Sequence, residues 1–171
     1  MAEPALDATR LLATLVQSGV RFVVIGGLAA VLHGAPYQTA DCDIVPEQNQ
    51  ANLARLSEAL RALGARIWTG AGDGLRFEHD GRSLRDARVW NLITDFGLLD
   101  ISFEPAGLES YRDLEQRAVR IEVDGVRFAV AALEDVVRSK QAAGRDKDAR
   151  SLPLLRRMLA EGIELRSEEE E

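Results

Sequence analysis

The chain has 171 residues, 46% of them hydrophobic, and a formal net charge of −7, which suits one domain with a substantial core. One cysteine excludes an internal disulfide, and the apolar stretches are shorter than the roughly 20 residues that cross a bilayer. The first residues also lack the basic start and apolar run of a signal peptide. We therefore expect a cytoplasmic protein without a membrane partner.

Charge is unevenly distributed along the sequence. Residues 161–171 contain six acids and one arginine, so the other 160 residues carry 20 basic and 22 acidic side chains. We expect residues 1–165 to form a single domain and 166–171 an acidic disordered tail. Segment 138–157 is basic, with seven Lys or Arg residues against two aspartates, and could face phosphates. We expect no DNA partner.

The N-terminal half predicts alternating helices and strands. Helix 49–63 is the clearest of them, because Leu53, Leu56 and Leu60 follow helical spacing and Gly64 can end the helix. In chain order we predict helix 8–17, strand 20–25, a turn at Gly26-Gly27, helix 28–32, strand 40–45 and helix 49–63.

The C-terminal half begins with a glycine-rich segment, 70–74, which we expect to be a mobile loop. Asp124-Gly125 between two β-rich runs predicts a tight hairpin. Pro153 is expected to kink or break the last helix. In order we predict strands 88–93 and 98–103 around a turn at 94–97, helix 108–118, strands 119–123 and 126–130, helix 133–143 and a helix from about residue 146.

Two short patterns point to chemistry. Asp41 and Asp43, at i and i+2 on a strand, would point to the same face and could share hard cations through oxygen ligands, while Cys42 and Ile44 would face the core. A glycine pair that opens a helix offers free backbone N–H groups to phosphate oxygens. Either pattern alone is more often structural than functional, but their order and spacing are more specific.

A glycine pair opening a helix, followed by Asp41-x-Asp43 on the next strand, resembles the signature of the nucleotidyltransferase superfamily typified by DNA polymerase beta. Within it, the sequence is similar to the bacterial group that includes the AbiEii and MenT toxins. That likeness rests on His33-Gly34-x-Pro36 before Thr39-x-Asp41-x-Asp43, and on a late motif formed by Lys140, Arg145, Lys147 and Asp148. It covers most of the chain.

The resemblance implies an α+β nucleotidyltransferase fold: a mixed twisted β-sheet flanked by helices, with a helical C-terminal segment. It implies that Asp41 and Asp43 bind Mg²⁺ and that Gly26 and Gly27 approach the phosphates of an NTP. A third carboxylate usually completes such a site, and Asp100, framed by apolar residues, is our candidate. The alternative for Asp100 is an ordinary acid at the end of a strand, although a buried one would need a partner or a cation.

Four more residues could bind the nucleotide. Lys140 could reach the β- and γ-phosphates as a catalytic group, or could simply face solvent. Arg145 could clamp a phosphate, with Asp148 orienting it, and Thr39 could supply a hydroxyl or merely begin the strand.

The sequence also departs from the family pattern. Leu28 stands where a Ser or Thr often follows the glycine pair, and Tyr37 where an arginine is frequent, so one phosphate donor could be missing. We expect His33 to make hydrogen bonds at a helix end and His79 to lie in a loop.

The resemblance implies an enzyme that transfers a nucleoside monophosphate from an NTP to an RNA hydroxyl. The tRNA 3′ end is the expected acceptor, and the enzyme would act as a toxin paired with an antitoxin protein. One alternative is nucleotidylation of a protein. Another is a degenerate module that binds nucleotide or a partner without turnover.

Overall fold

The computed structural model describes residues 4–167. Within this range, seven strands form one mixed sheet in the order β3-β4-β5-β2-β1-β7-β6. The strands are β1 (Phe22–Ile25), β2 (Asp41–Pro46), β3 (Arg66–Ile67), β4 (Val89–Thr94), β5 (Gly97–Ser102), β6 (Val119–Val123) and β7 (Val126–Val130).

Helices flank this sheet. They are α1 (Ala8–Gln17), α2 (Gly26–Leu32), α3 (Gln50–Ala62), α4 (Tyr111–Arg117), α5 (Leu133–Ala143) and α6 (Asp146–Ala160), with a 3₁₀ turn at Ser83–Asp86. Helix α5 packs against both α2 and α6, whereas α1 packs against β7 and α3. This is the predicted α+β architecture.

The centre of the sheet combines parallel and antiparallel pairs. Strand β2 runs antiparallel to β1 and parallel to β5, and β1 runs parallel to β7. Strand β4 pairs antiparallel with β5, which makes β2 and β5 inner strands with apolar side chains on the core face. Their other face carries Asp41, Asp43, Asp100 and Ser102 beside the buried Val45 and Leu98.

Local sequence signals set several element ends. Asn49 caps α3 by accepting a hydrogen bond from the backbone N–H of Asn52, and Gly144 ends α5 in the left-handed conformation. Asp124 and Gly125, both at positive φ, form the tight turn between β6 and β7. The bounds predicted for α1, β6, β7 and α5 are confirmed.

Several local features differ from the predictions: β1 begins at Phe22 and not at residue 20, and α4 spans Tyr111–Arg117 and not 108–118. The glycine pair forms the first turn of α2 and does not precede it. Pro153 lies inside a continuous α6, whose following turn is held by buried Leu155 and Met158. Strand β3 was not predicted, because a two-residue strand has too short a pattern to recognise.

Two further predictions concern membrane-spanning helices and the C-terminal tail. None of the helices in residues 4–167 combines the length and apolar character needed to cross a membrane. The acidic tail was predicted for residues 166–171, and residues 168–171 of it lie outside the part of the chain that the structure describes.

Candidate active site

The three predicted metal ligands lie together at the centre of the sheet. Asp43 on β2 is directly paired with Asp100 on the parallel strand β5, and Asp41 lies two residues earlier on the same face of β2. One carboxylate oxygen from each of the three can be chosen so that all lie within 4.8 Å of one another. The opposite face is anchored in the core, since Cys42 and Ile44 are fully buried.

Burial and neighbouring negative charge disfavour the ionisation of Asp43 and Asp100. Burial, followed by the charge of Asp41, raises the pKa of Asp43. Burial and the charge of Asp43 likewise raise the pKa of Asp100. Three acidic groups that repel one another at short range, with oxygen ligands only, fit a hard divalent cation such as Mg²⁺.

The glycine pair lets the chain approach these carboxylates closely. Gly26 has φ +68°, and a Cβ atom on it would lie 2.0 Å from Oδ2 of Asp43. A Cβ on Gly27 would lie 3.0 Å from the hydroxyl oxygen of Thr39, which in turn hydrogen-bonds to the backbone and side chain of Asp41. Thr39 therefore supports the acidic cluster as well as lining the cleft beside it.

Basic side chains from α5 and from the N-cap of α6 also line the cleft. Asp148 is completely buried and accepts hydrogen bonds from Arg145 Nε at 2.7 Å and from Lys140 Nζ at 3.5 Å. Burial opposes the ionisation of Asp148, but these two cations hold its pKa below the usual value. The structure thus brings Lys140 and Arg145 to the cleft and places Asp148 behind them, where it orients both.

The cleft itself is open, with a volume of about 800 Å³. Its walls include the glycine pair, Thr39 and all three aspartates on one side. On the other side are Lys140 and Arg145 together with Lys147 and Arg150 of α6, both exposed. A cluster of carboxylates facing a group of cations can hold a divalent metal and a polyphosphate at the same time.

Both departures from the family pattern have a structural explanation. Leu28 is buried in the hydrophobic core, so this position contributes packing and no hydrogen-bond donor. Tyr37 lines the cleft, and its hydroxyl is buried without a hydrogen-bond partner among the described residues. Burial, and then the charge of Asp148, raise the pKa of Tyr37, so the hydroxyl keeps its proton and can donate it.

The two histidines lie outside the cleft, as expected. His33 follows α2, and its ring nitrogens contact the carbonyl of Ala131 at 2.8 Å and the backbone N–H of Leu165 at 3.0 Å. Both ring nitrogens are therefore engaged in holding the chain together. His79 lies in a loop beside the Ser57 hydroxyl.

The cleft lining also includes residues that had been given no individual role from the sequence, among them Asn91, Ser102, Lys147 and Arg150. Lys147 and Arg150 were visible in the basic segment, but their direction depends on how α6 packs. Ser102 had a usable signal, because it lies two residues after Asp100 and so shares its face of β5. Asn91 had none, since its position opposite Asp100 depends on strand pairing.

Comparison with known proteins gives one family and several similar structures. The family model described as "Nucleotidyltransferase of unknown function (DUF6036)" matches residues 6–164. No curated protein sequence gives a significant match.

The similar structures share the fold at low sequence identity. A Thermotoga maritima protein assigned to the nucleotidyltransferases is 20% identical, with a TM-score of 0.51 and 90% of each chain covered. ANT(2″)-Ia in complex with adenylyl-2″-tobramycin is 16% identical, with a TM-score of 0.56 over 91% of this chain and 89% of its own. The lincosamide antibiotic adenylyltransferase LnuA is 12% identical, with a TM-score of 0.58 over 90% and 98%.

Proposed function

The chain belongs to this family of nucleotidyltransferases, and on that basis we propose that it transfers a nucleoside monophosphate from an NTP to an acceptor hydroxyl. Asp41, Asp43 and Asp100 would hold the divalent cations, with Mg²⁺ as the expected metal. The observation that carries the proposal is the cluster of three carboxylates facing four cations across one cleft.

Each side of the cleft would have a separate task. Metal ions bound by the three aspartates would neutralise charge on the triphosphate and on the attacking oxygen. Asp100 accepts a hydrogen bond from the acceptor hydroxyl and directs its oxygen at the α-phosphorus. That oxygen forms the new bond, the bond to pyrophosphate breaks, and the hydroxyl proton passes to the carboxylate.

The four basic side chains that line the cleft would bind the triphosphate and the departing pyrophosphate. Arg145 and Lys147 lie in the cleft and are exposed, so their charges are available to phosphate oxygens. Lys140 is only 12% exposed and contacts Asp148 at a long 3.5 Å, a contact that a phosphate could replace. Asp148 keeps Arg145 in place through hydrogen bonds from its side chain and its backbone N–H.

The acceptor predicted from the sequence was RNA, at a tRNA 3′ end, with the protein acting as a toxin that an antitoxin inhibits. The exposed Arg156 and Arg157 on α6 support an RNA contact. Arg138, Lys140 and Arg145 of the same segment form ion pairs within the protein, which makes their charges less available to RNA.

The test combines binding and transfer. Purified protein is titrated with each NTP in the presence of MgCl₂ or EDTA, and then incubated with α-³²P-labelled NTP and total RNA, protein or small molecules. ATP is the first donor to test, because two similar structures concern adenylyl transfer by their names. We expect metal-dependent NTP binding and label in one acceptor class. If NTP binds but no mixture is labelled, the protein is a degenerate module that binds nucleotide without turnover. If protein is labelled, the acceptor is a protein and not RNA.

Tyr37→Phe should weaken NTP binding about ten-fold, because it removes one hydrogen bond to a charged ligand. The apo protein should be no less stable, since the deleted hydroxyl is buried without a partner among the described residues. Calorimetric titration and thermal unfolding measure the two effects. Tyr111→Phe, in a separate cavity of about 260 Å³, is the matched control and should leave the NTP affinity unchanged. Equal affinity in Tyr37→Phe and wild type would show that the hydroxyl does not contact the nucleotide.

A further inference from the structure

The part of the cleft beyond Asp100 carries no charge among its lining residues. Asn91 on β4 is directly opposite Asp100, and Val89 is directly opposite Ser102 on the same two strands. Paired residues in an antiparallel ladder point to the same face, so all four side chains lie on the face of the acidic cluster. We call Val89, Asn91 and Ser102 the uncharged wall. Pro105 and Ala106 also line the cleft, but the next residue, Gly107, lies against α5.

The cations that line the cleft all come from α5 and the beginning of α6. Lys140 belongs to α5, Arg145 precedes α6, and Lys147 and Arg150 belong to α6. Helix α5 packs on α2, which lies over β1 and β2, whereas β4 is separated from β2 by β5. The four cations therefore lie towards β1 and β2, whereas the uncharged wall lies towards β4.

Phosphoryl transfer requires the attacking and leaving oxygens to lie roughly in line. The leaving pyrophosphate needs cations, which places it towards α5 and α6. The acceptor must then approach from the opposite side, over β4 and β5.

We propose that the acceptor is an uncharged hydroxyl compound with an apolar portion, an inference that rests on the proposed nucleotidyl transfer. Asn91 and Ser102 hydrogen-bond to its polar groups, and Val89 contacts its apolar portion. Val89 is 48% exposed, unusual for a large apolar side chain in this protein, and it faces the cleft. Burying this surface against a ligand is favourable.

A polyanionic acceptor does not suit this wall. RNA binding depends on Lys and Arg contacts to phosphates, and the wall has no cation among its lining residues. The nearest basic residue in the sequence, Arg88, precedes β4, and its 85% exposed side chain pairs with Glu104 at 3.5 Å. The uncharged wall itself therefore offers an RNA strand no counter-charge beside Asp100.

The experiment separates acceptors by charge. Protein, MgCl₂ and the α-³²P-labelled NTP that binds in the titration are incubated with bacterial RNA, or with metabolites below 3 kDa sorted on anion and cation exchangers. We expect label in the uncharged flow-through fraction. Label in RNA or in a retained fraction overturns the inference and leaves the transferase function intact. If the protein labels nothing, or binds no NTP, both the proposed nucleotidyl transfer and the uncharged acceptor are wrong.

Val89→Lys provides a second readout on the same wall. With an uncharged acceptor, the added charge and lost apolar contact should reduce labelling about ten-fold while NTP affinity stays unchanged. With a polyanionic acceptor, labelling should rise. Leu75→Lys, at an apolar side chain that is 60% exposed and outside the cleft, is the control and should match wild type.

Discussion

Asp100→Asn should reduce nucleotidyl transfer by at least about a thousand-fold while NTP binding stays within a few-fold of wild type. The amide keeps the size of the side chain but cannot accept the hydroxyl proton or bind a cation as strongly. Asp41→Asn and Asp43→Asn should reduce transfer as much and also weaken metal-dependent NTP binding. Pyrophosphate release and calorimetric titration measure these two effects.

Thermal unfolding gives a readout of the same variants that does not depend on activity. A carboxyl group whose pKa rises on folding destabilises the native state at neutral pH, so neutral Asn at position 43 or 100 should raise the stability of the metal-free protein. Added MgCl₂ should then stabilise wild type more than either variant, because ligand binding favours the folded state.

The control for the aspartate series is Asp73→Asn, at an exposed loop position outside the cleft. It should behave as wild type in transfer, titration and unfolding. An Asp100→Asn protein with full transfer activity would show that another group receives the acceptor hydroxyl. Equal stabilisation of all variants by MgCl₂ would show that the cation binds elsewhere.

Gly26→Ala should reduce transfer by about a hundred-fold or more, although it adds a single methyl group. The new Cβ would lie 2.0 Å from Oδ2 of Asp43, a distance at which the carboxylate must move out of the cluster. Displacement of a catalytic group by about 1 Å is enough for an effect of this size. The residue also has φ +68°, which costs an L side chain about 1–2 kcal/mol.

Backbone strain and displacement of the carboxylate can be separated with a matched glycine. Gly72 has a similar φ of +73°, but a Cβ there would have nothing within 4 Å. Gly72→Ala should therefore show the strain cost in thermal unfolding without loss of transfer. If both variants lose activity equally, the effect of Gly26→Ala comes from general destabilisation and not from Asp43.

Much of the architecture was accessible from local sequence patterns. The hairpin of β6 and β7 and the bounds of α1 and α5 were predicted correctly, because each depends on periodicity and on glycine or Asp-Gly signals close in sequence. The alternation of Asp41 and Asp43 with Cys42 and Ile44 was equally local. It correctly indicated which side of β2 faces the core.

Sequence patterns, together with the family resemblance, were enough to predict most elements, the core face of β2 and the candidate ligands Asp41, Asp43 and Asp100. The pairing of β5 with β2, which brings Asp100 beside Asp43, comes from the packing of distant segments. The same packing directs Lys147 and Arg150 of α6 into the cleft. The uncharged wall also depends on the tertiary structure, since Asn91 reaches Asp100 through the register of β4. Periodicity along a strand fixes the face of each side chain, but strand pairing and helix docking depend on contacts between distant segments, which no local pattern encodes.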